Sequence, residues 1–413
     1  MEKTLTINTG NAMLLDENSE ILSAYDSVII NSGNVVISRK VYKKWMGTVL
    51  SINSGNMKIL DISGEIVELA ANTTITASMS YDGCFLLCDG NLIIEDAKGL
   101  EGVTGLYAKR LFYPDSVDLR SITKIEAAAR TVYPDGAKLH IGNMEINETS
   151  YITLDGDAFY WVFGSLKALD AGAIETVRQK GITFHSNELI IYKEIFDENR
   201  SLFTADRYVL VPDGYTLVGD LTLSSATVPL YGDKVFVLGD LMIPYDQAQY
   251  LNGFTALLVT GTATMPLTAA ADFHVIGKAK DFDLYDGVLL PINGFQTFGH
   301  AQCRTAIERG LKYTLKVNGT LCLMNDVTAG DMDAIAAVYC NGTIIAPDSA
   351  RSALDSKVRE MNGTLMNMDS MIKKLYGEDS PMSDHPAEAI QKLIHNYQGS
   401  EEGNTINSAN FKL

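Results

Sequence analysis

TINTGNAML at residues 6–14, IINSGNVVI at 29–37 and SINSGNMKI at 51–59 are three copies of one pattern, an apolar alternation on each side of a central glycine. Residues two apart share one face of a strand, so each copy reads as an extended segment with one face buried. Gly10, Gly33 and Gly55 read as corners, where freedom to take positive φ suits a sharp turn. LCDGNLII places a fourth such glycine at Gly90, and HIGNMEI another at Gly142. Beyond residue 200 the string becomes V-x-G-x-L or V-x-G-x-A, at Gly219, Gly239, Gly261, Gly277, Gly299, Gly319, Gly342 and Gly363, with spacings of 16 to 23 residues. Weaker copies near Asn72, Gly105, Thr123, Gly164, Asn187 and Phe203 fill the gaps, giving roughly nineteen units.

Units of this size cannot bury their apolar faces alone and must stack. The expected fold is mostly all-β: a parallel β-solenoid (β-helix) of roughly nineteen coils of about 20 residues, about 90 Å long at the spacing of paired strands. Short helical segments interrupt it. About six residues after many of the glycines stands an aspartate, such as Asp96 or Asp170, placed to cap a short helix. Asp170 precedes AGAIETVRQKG and Asp326 precedes VTAGDMDAIAAV. The expected organisation is one solenoid domain over 1–376, with an Asn-rich half at 1–200 and a V-x-G-x-L half at 201–376. A C-terminal helix and mobile tail follow at 377–413. The helix signature there is Pro386 at a first turn, apolar Ile390, Leu393, Ile394 and Tyr397, and Gly399 as a stop. It reads as a helical cap over the last coil.

Composition bounds the function. The chain has 413 residues and a formal charge of −18, and its basic residues form no stripe that would hold a phosphate backbone, so no nucleic-acid partner is expected. With 46% hydrophobic and 20% charged residues it is too apolar to remain disordered. No run approaches the length of a membrane span. Met1 to Thr4 lead straight into a strand pattern without an apolar signal region, which points to a cytoplasmic protein. Cys84, Cys88, Cys303, Cys322 and Cys340 are sparse and odd in number, as expected of reduced, buried thiols.

The residue after each corner glycine forms a column: Asn11, Asn34, Asn56, Asn91 and Asn143, then Asp220, Asp240, Thr262, Lys278, His300, Thr320, Thr343 and Thr364. Stacked amides and hydroxyls satisfy one another from coil to coil. Asp220 and Asp240 stand one coil apart, and Asp213 and Asp233 repeat that spacing one corner earlier. Two stacked carboxylates can share a proton, hold Ca²⁺ or act as acid and base on a glycan. Turn chemistry accounts for the same aspartates without any catalysis. Trp161 with Phe159, Tyr160 and Phe163 offers either packing or a sugar-stacking face. The six histidines form no metal-ligand spacing, and neither a phosphate loop nor a nucleophile elbow is present, so no cofactor or metal is assigned.

LVGDLTL and VLGDLMI, with the looser V-x-G-x-L series to Gly363, resemble the V-x-G-D-V coils of bactofilins, bacterial cytoskeletal proteins that polymerise. The resemblance covers residues 205–365. It implies a cytoplasmic scaffold that assembles end to end without nucleotide through apolar terminal coils, here those carrying Leu5, Ile7 and Leu365, and it carries over no functional residue. The leading expectation is a non-enzymatic scaffold with a protein partner or self-association. The alternatives are a carbohydrate-active enzyme or glycan-binding protein using Asp213, Asp220, Asp233 and Asp240, and a surface adhesin whose export signal has been removed.

Overall fold

The computed structural model describes residues 3–120, 122, 124–368 and 404–412. The strands are β1 (Thr4–Leu14), β2 (Ser27–Ser38), β3 (Leu50–Leu60), β4 (Glu65–Leu69), β5 (Thr73–Ile75), β6 (Cys84–Ile94), β7 (Gly105–Pro114), β8 (Ile125–Tyr133), β9 (Lys138–Ile141), β10 (Met144–Ile146), β11 (Phe159–Ala168), β12 (Thr183–Tyr192) and β13 (Phe203–Val211). They continue as β14 (Thr216–Val218), β15 (Leu221–Thr222), β16 (Lys234–Val237), β17 (Leu241–Met242), β18 (Ala256–Pro266), β19 (Gly277–Tyr285), β20 (Val288–Ile292), β21 (Phe295–Phe298) and β22 (Tyr313–Val317). The last are β23 (Thr320–Leu323), β24 (Ile335–Cys340), β25 (Thr343–Ala346), β26 (Val358–Met361), β27 (Thr364–Asn367) and β28 (Asn404–Lys412). The chain divides into two compact units, one of Met1–Ile190, Asn199–Tyr208 and Ser400–Leu413, the other of Ile191–Glu198 and Val209–Gly399.

The repeats pair in parallel and in register. Asn8, Asn31 and Asn53 lie side by side, as do Asn11, Asn34 and Asn56. Leu5, Val28 and Leu50 point into one core with Ile7, Ile30, Leu14 and Ile37. Repeats of alternating sequence thus bury one face by stacking, as the pattern requires.

The continuous nineteen-coil solenoid is not what forms. About 49% of the structure is strand and 24% helix, and the strands fall into six separate parallel sheets, the first of which ends at β3 while β4 opens another. The physical reason lies in the second faces of these strands. Met13 and Leu60 from the first sheet pack against Phe85, Leu87 and Tyr107 from the second, with Val36 and Ile66 beside them. CFLLC at 84–88 is an apolar run rather than an alternation, and Phe85 to Cys88 are all buried, which marks a strand covered on both sides. Side-by-side packing of two short sheets hides this surface, which one uninterrupted stack would leave in water. Gly64, at φ +85°, makes the turn that separates them.

Three local expectations are also corrected. Gly10, Gly33 and Gly55 lie inside continuous strands and lack positive φ; of the repeat glycines first named, only Gly142 and Gly239 have it. Close approach is what Gly10 and Gly33 serve, since a Cβ there would lie 3.0 Å from the Ala409 and 3.1 Å from the Gly10 carbonyl oxygen, whereas at Gly55 the contact is an ordinary 3.5 Å. Gly277 and Gly299 are not corners: Leu257 pairs with Gly277, Phe295 pairs with Thr320, and the true counterpart of Gly319 is Gly294. Gly299 instead caps the helix His300–Glu308. Asp96 and Asp170 do cap helices, at Ala97–Leu100 and Ala171–Gln179, whereas Thr328 rather than Asp326 caps Ala329–Ala334.

The segment read as a polar tail contains β28, which adds to β1 in parallel, with Ile406 opposite Ile7 and Asn410 opposite Asn11. Its TINSAN at 405–410 repeats TINTGN at 6–11. Leu5 and Ile7 are therefore buried beneath a strand and form no open terminal interface. The expected helical cap lies outside the described residues. No helix among those described is long and apolar enough to cross a membrane.

Candidate functional site

The four candidate aspartates take structural partners. Asp220 Oδ1 accepts the backbone N–H of Asp240 at 2.8 Å, and Asp240 Oδ1 accepts that of Thr262 at 2.7 Å. One carboxylate after another thus caps the next repeat where the backbone passes Gly239 at φ +136°. Asp213 accepts the Glu194 N–H at 2.9 Å, and Asp233 accepts the Thr255 hydroxyl at 2.7 Å, which holds its carboxyl below the ordinary range. Asp220 and Asp240 are brought together as the spacing requires, but through carboxylate-to-amide contact rather than as an acid–base pair. Among the described residues no group of three or more His, Cys, Asp or Glu side chains is placed to hold a metal ion.

The other sequence candidates resolve similarly. Tyr160 and Val162 point inward, whereas Trp161 lies against His185 with ring centroids 3.9 Å apart and Phe163 meets Phe112 edge-on at 4.9 Å. Phe159, Trp161 and Phe163 are half-buried, and each meets another ring. All five cysteines are free, and burial pushes the Cys303 thiol up to about 11 and the Cys322 thiol to about 12. Neither supplies a thiolate at neutral pH.

Sequence reasoning missed two features. The first is an Asp–His pair. Nδ1 of His300, at the start of its helix, lies 3.0 Å from Asp331 Oδ2, which also accepts the Thr328 backbone N–H at 2.7 Å and the Thr328 hydroxyl at 2.8 Å. Burial works to raise the Asp331 carboxyl, but the hydrogen bonds from His300 and Thr328 outweigh it and hold the carboxyl below its ordinary value. A carboxyl with a depressed folded pKa contributes stability above its unfolded value, near 3.9, and that stability is lost as pH falls through the folded value. Asp331→Asn is therefore expected to lower stability by about 1–3 kcal/mol at pH 7 and to flatten the acid limb of a stability-versus-pH curve below about pH 4. Chemical denaturation across that range checks it. Residues 300 and 331 stand 31 apart, in elements with no shared pattern, so no sequence signal joined them.

The second is a groove of about 790 Å³ within the first unit. Asn11, Asn34, Asn56 and Asn410 form one wall, Met13, Val36 and Leu87 belong to the floor, and Tyr107, Lys109 and Ala128 line the facing side. The wall is an amide ladder: Asn34 Nδ2 donates to Asn11 Oδ1 at 3.1 Å, and Asn11 Nδ2 to Asn410 Oδ1 at 2.9 Å. Lys58 pairs with Glu126 at 2.7 Å and Lys412 with Glu68. The Asn column was legible in the sequence, but its position on a groove was not, because the opposite wall comes from another sheet. No family model matches this chain, and neither a curated protein nor a solved structure does.

Proposed function

We propose that this chain is a non-enzymatic scaffold whose surface serves protein contacts, self-association among them. The observation that carries the reading is the use of Asp220 and Asp240 as acceptors for the backbone amides of the following repeat. Polar residues that recur at repeat spacing bond one repeat to the next, as with the amides of Asn293, Asn318, Asn341 and Asn362, each bonded to the next at 3.0–3.3 Å. The V-x-G-x-L likeness to bactofilin coils supports the same reading.

A carboxylate that serves as a backbone acceptor and one that serves as an acid respond differently to substitution. In Asp220→Asn/Asp240→Asn an amide oxygen still accepts, so stability changes little, whereas Asp220→Ala/Asp240→Ala removes both acceptors and costs about 1 kcal/mol at each site. Thermal melts of the two double variants, beside turnover assays on neutral and acidic glycans, test this. Turnover that vanishes in the Asn variant would overturn the scaffold in favour of the carbohydrate-active reading. Sedimentation over a wide concentration range reads self-association directly.

A further inference from the structure

The groove in the first unit has a wall of regular chemistry. Each Asn amide has two N–H donors and two carbonyl lone pairs, and a ladder consumes one of each. Asn11, which donates to Asn410 and accepts from Asn34, therefore retains a donor and an acceptor, Asn34 spends one donor on Asn11, Asn56 continues the column in register, and all but the half-buried Asn11 are exposed. The four rungs repeat at about 4.8 Å and span about 14 Å along the groove. Beneath them runs an apolar floor of Met13, Val36 and Leu87, and the exposed Ala128 opposite leaves room. The volume lies in the range of small-molecule sites, about 300–1,000 Å³.

Three properties narrow the occupant. Lys58, Lys109 and Lys412 are balanced by Glu68, Asp89 and Glu126, and two of the lysines are already paired, so the groove favours a neutral ligand over an anion. Both β1 and β2 have neighbours on each edge, so between its end rungs on β28 and β3 the wall presents side-chain amides rather than a free strand edge of the kind that holds an extended peptide. A polar wall of evenly spaced donor–acceptor pairs over an apolar floor matches an extended sugar chain, whose ring edges carry hydroxyls, whose faces are apolar and whose β-1,4 repeat is on the order of 5 Å, close to the rung spacing.

We propose that this groove binds a neutral β-1,4-linked hexose oligosaccharide of about three units along the Asn11–Asn34–Asn56 wall, a site distinct from the aspartates of the second unit. Isothermal titration of the full chain with cellotriose tests it, with glucose and the α-1,4-linked maltotriose as controls. Saturable cellotriose binding is expected in the millimolar range or tighter, with both controls at least tenfold weaker. Ala128→Trp, and separately Ala128→Glu, each obstruct the groove from an exposed position and are expected to weaken cellotriose at least tenfold while circular-dichroism melts stay at the wild-type midpoint. Absence of saturable binding overturns the proposal, as does binding that both folded variants retain or that maltotriose matches.

Discussion

A chain ending at residue 403 is expected to lose about 3 kcal/mol from its first unit. Without β28, the Leu5 and Ile7 strand loses the parallel partner along one edge and the hydrogen bonds made to it. The truncation also removes Phe411, which packs against the core of the first sheet, and the Asn410 rung that Asn11 donates to. Partial burial of one aromatic side chain, one amide bond and a row of strand hydrogen bonds sum to that order. For a unit of this size the midpoint should fall by about 10 °C. An unchanged melt would mean that the terminal strand is not seated on β1.

Gly342→Ala is expected to be strongly destabilising to the second unit. A Cβ there would sit within van der Waals contact of the Gly319 carbonyl oxygen and 2.8 Å from Asn318 C. Both obstacles are backbone atoms in a paired ladder, so neither can swing aside. The same close approach recurs at Gly319 over Gly294 and at Gly363 over Gly342, so a shift at one rung is passed to the next. A loss of about 3 kcal/mol or more follows from forced overpacking. Gly219→Ala supplies the control, because the same motif letter there has nothing within 4 Å of its Cβ and no positive φ. It should be neutral, or stabilise by about 0.4–1 kcal/mol through the unfolded chain. Denaturant melts of the two variants distinguish a glycine required by stacking from one that merely occupies a corner.

The amide ladders show how far the sequence could be read. Asn11, Asn34 and Asn56 stand at one motif position, and their alignment follows from register alone. The equivalent ladder of Asn318, Asn341 and Asn362, in VNG, CNG and MNG, precedes its glycines and so lies off the column of residues that follow them. TINSAN is hidden for a similar reason: a motif centred on glycine does not match it, because position 409 holds alanine. Among the described strands β28 ends its sheet, so no carbonyl of a further strand lies beneath Ala409 and a methyl meets no obstacle there. The false corners at Gly277 and Gly299 arose because a glycine at a helix boundary looks the same as a glycine in a stack.

By itself, the sequence determined that this chain is built from repeats that pair in parallel with like residues in register, because period-two alternation leaves each repeat one apolar face that only another repeat can cover. It also placed Asp220 and Asp240 in neighbouring repeats, and four of the five thiols in the core. Only the tertiary structure decided where the stacking stops, that the first two sheets pack face to face, that the last strand returns to the first, and that an amide column becomes the wall of a groove. The reason is that pairing within a sheet is read from local periodicity, whereas the partner of a strand's second face is set by shape and volume between segments far apart in the chain.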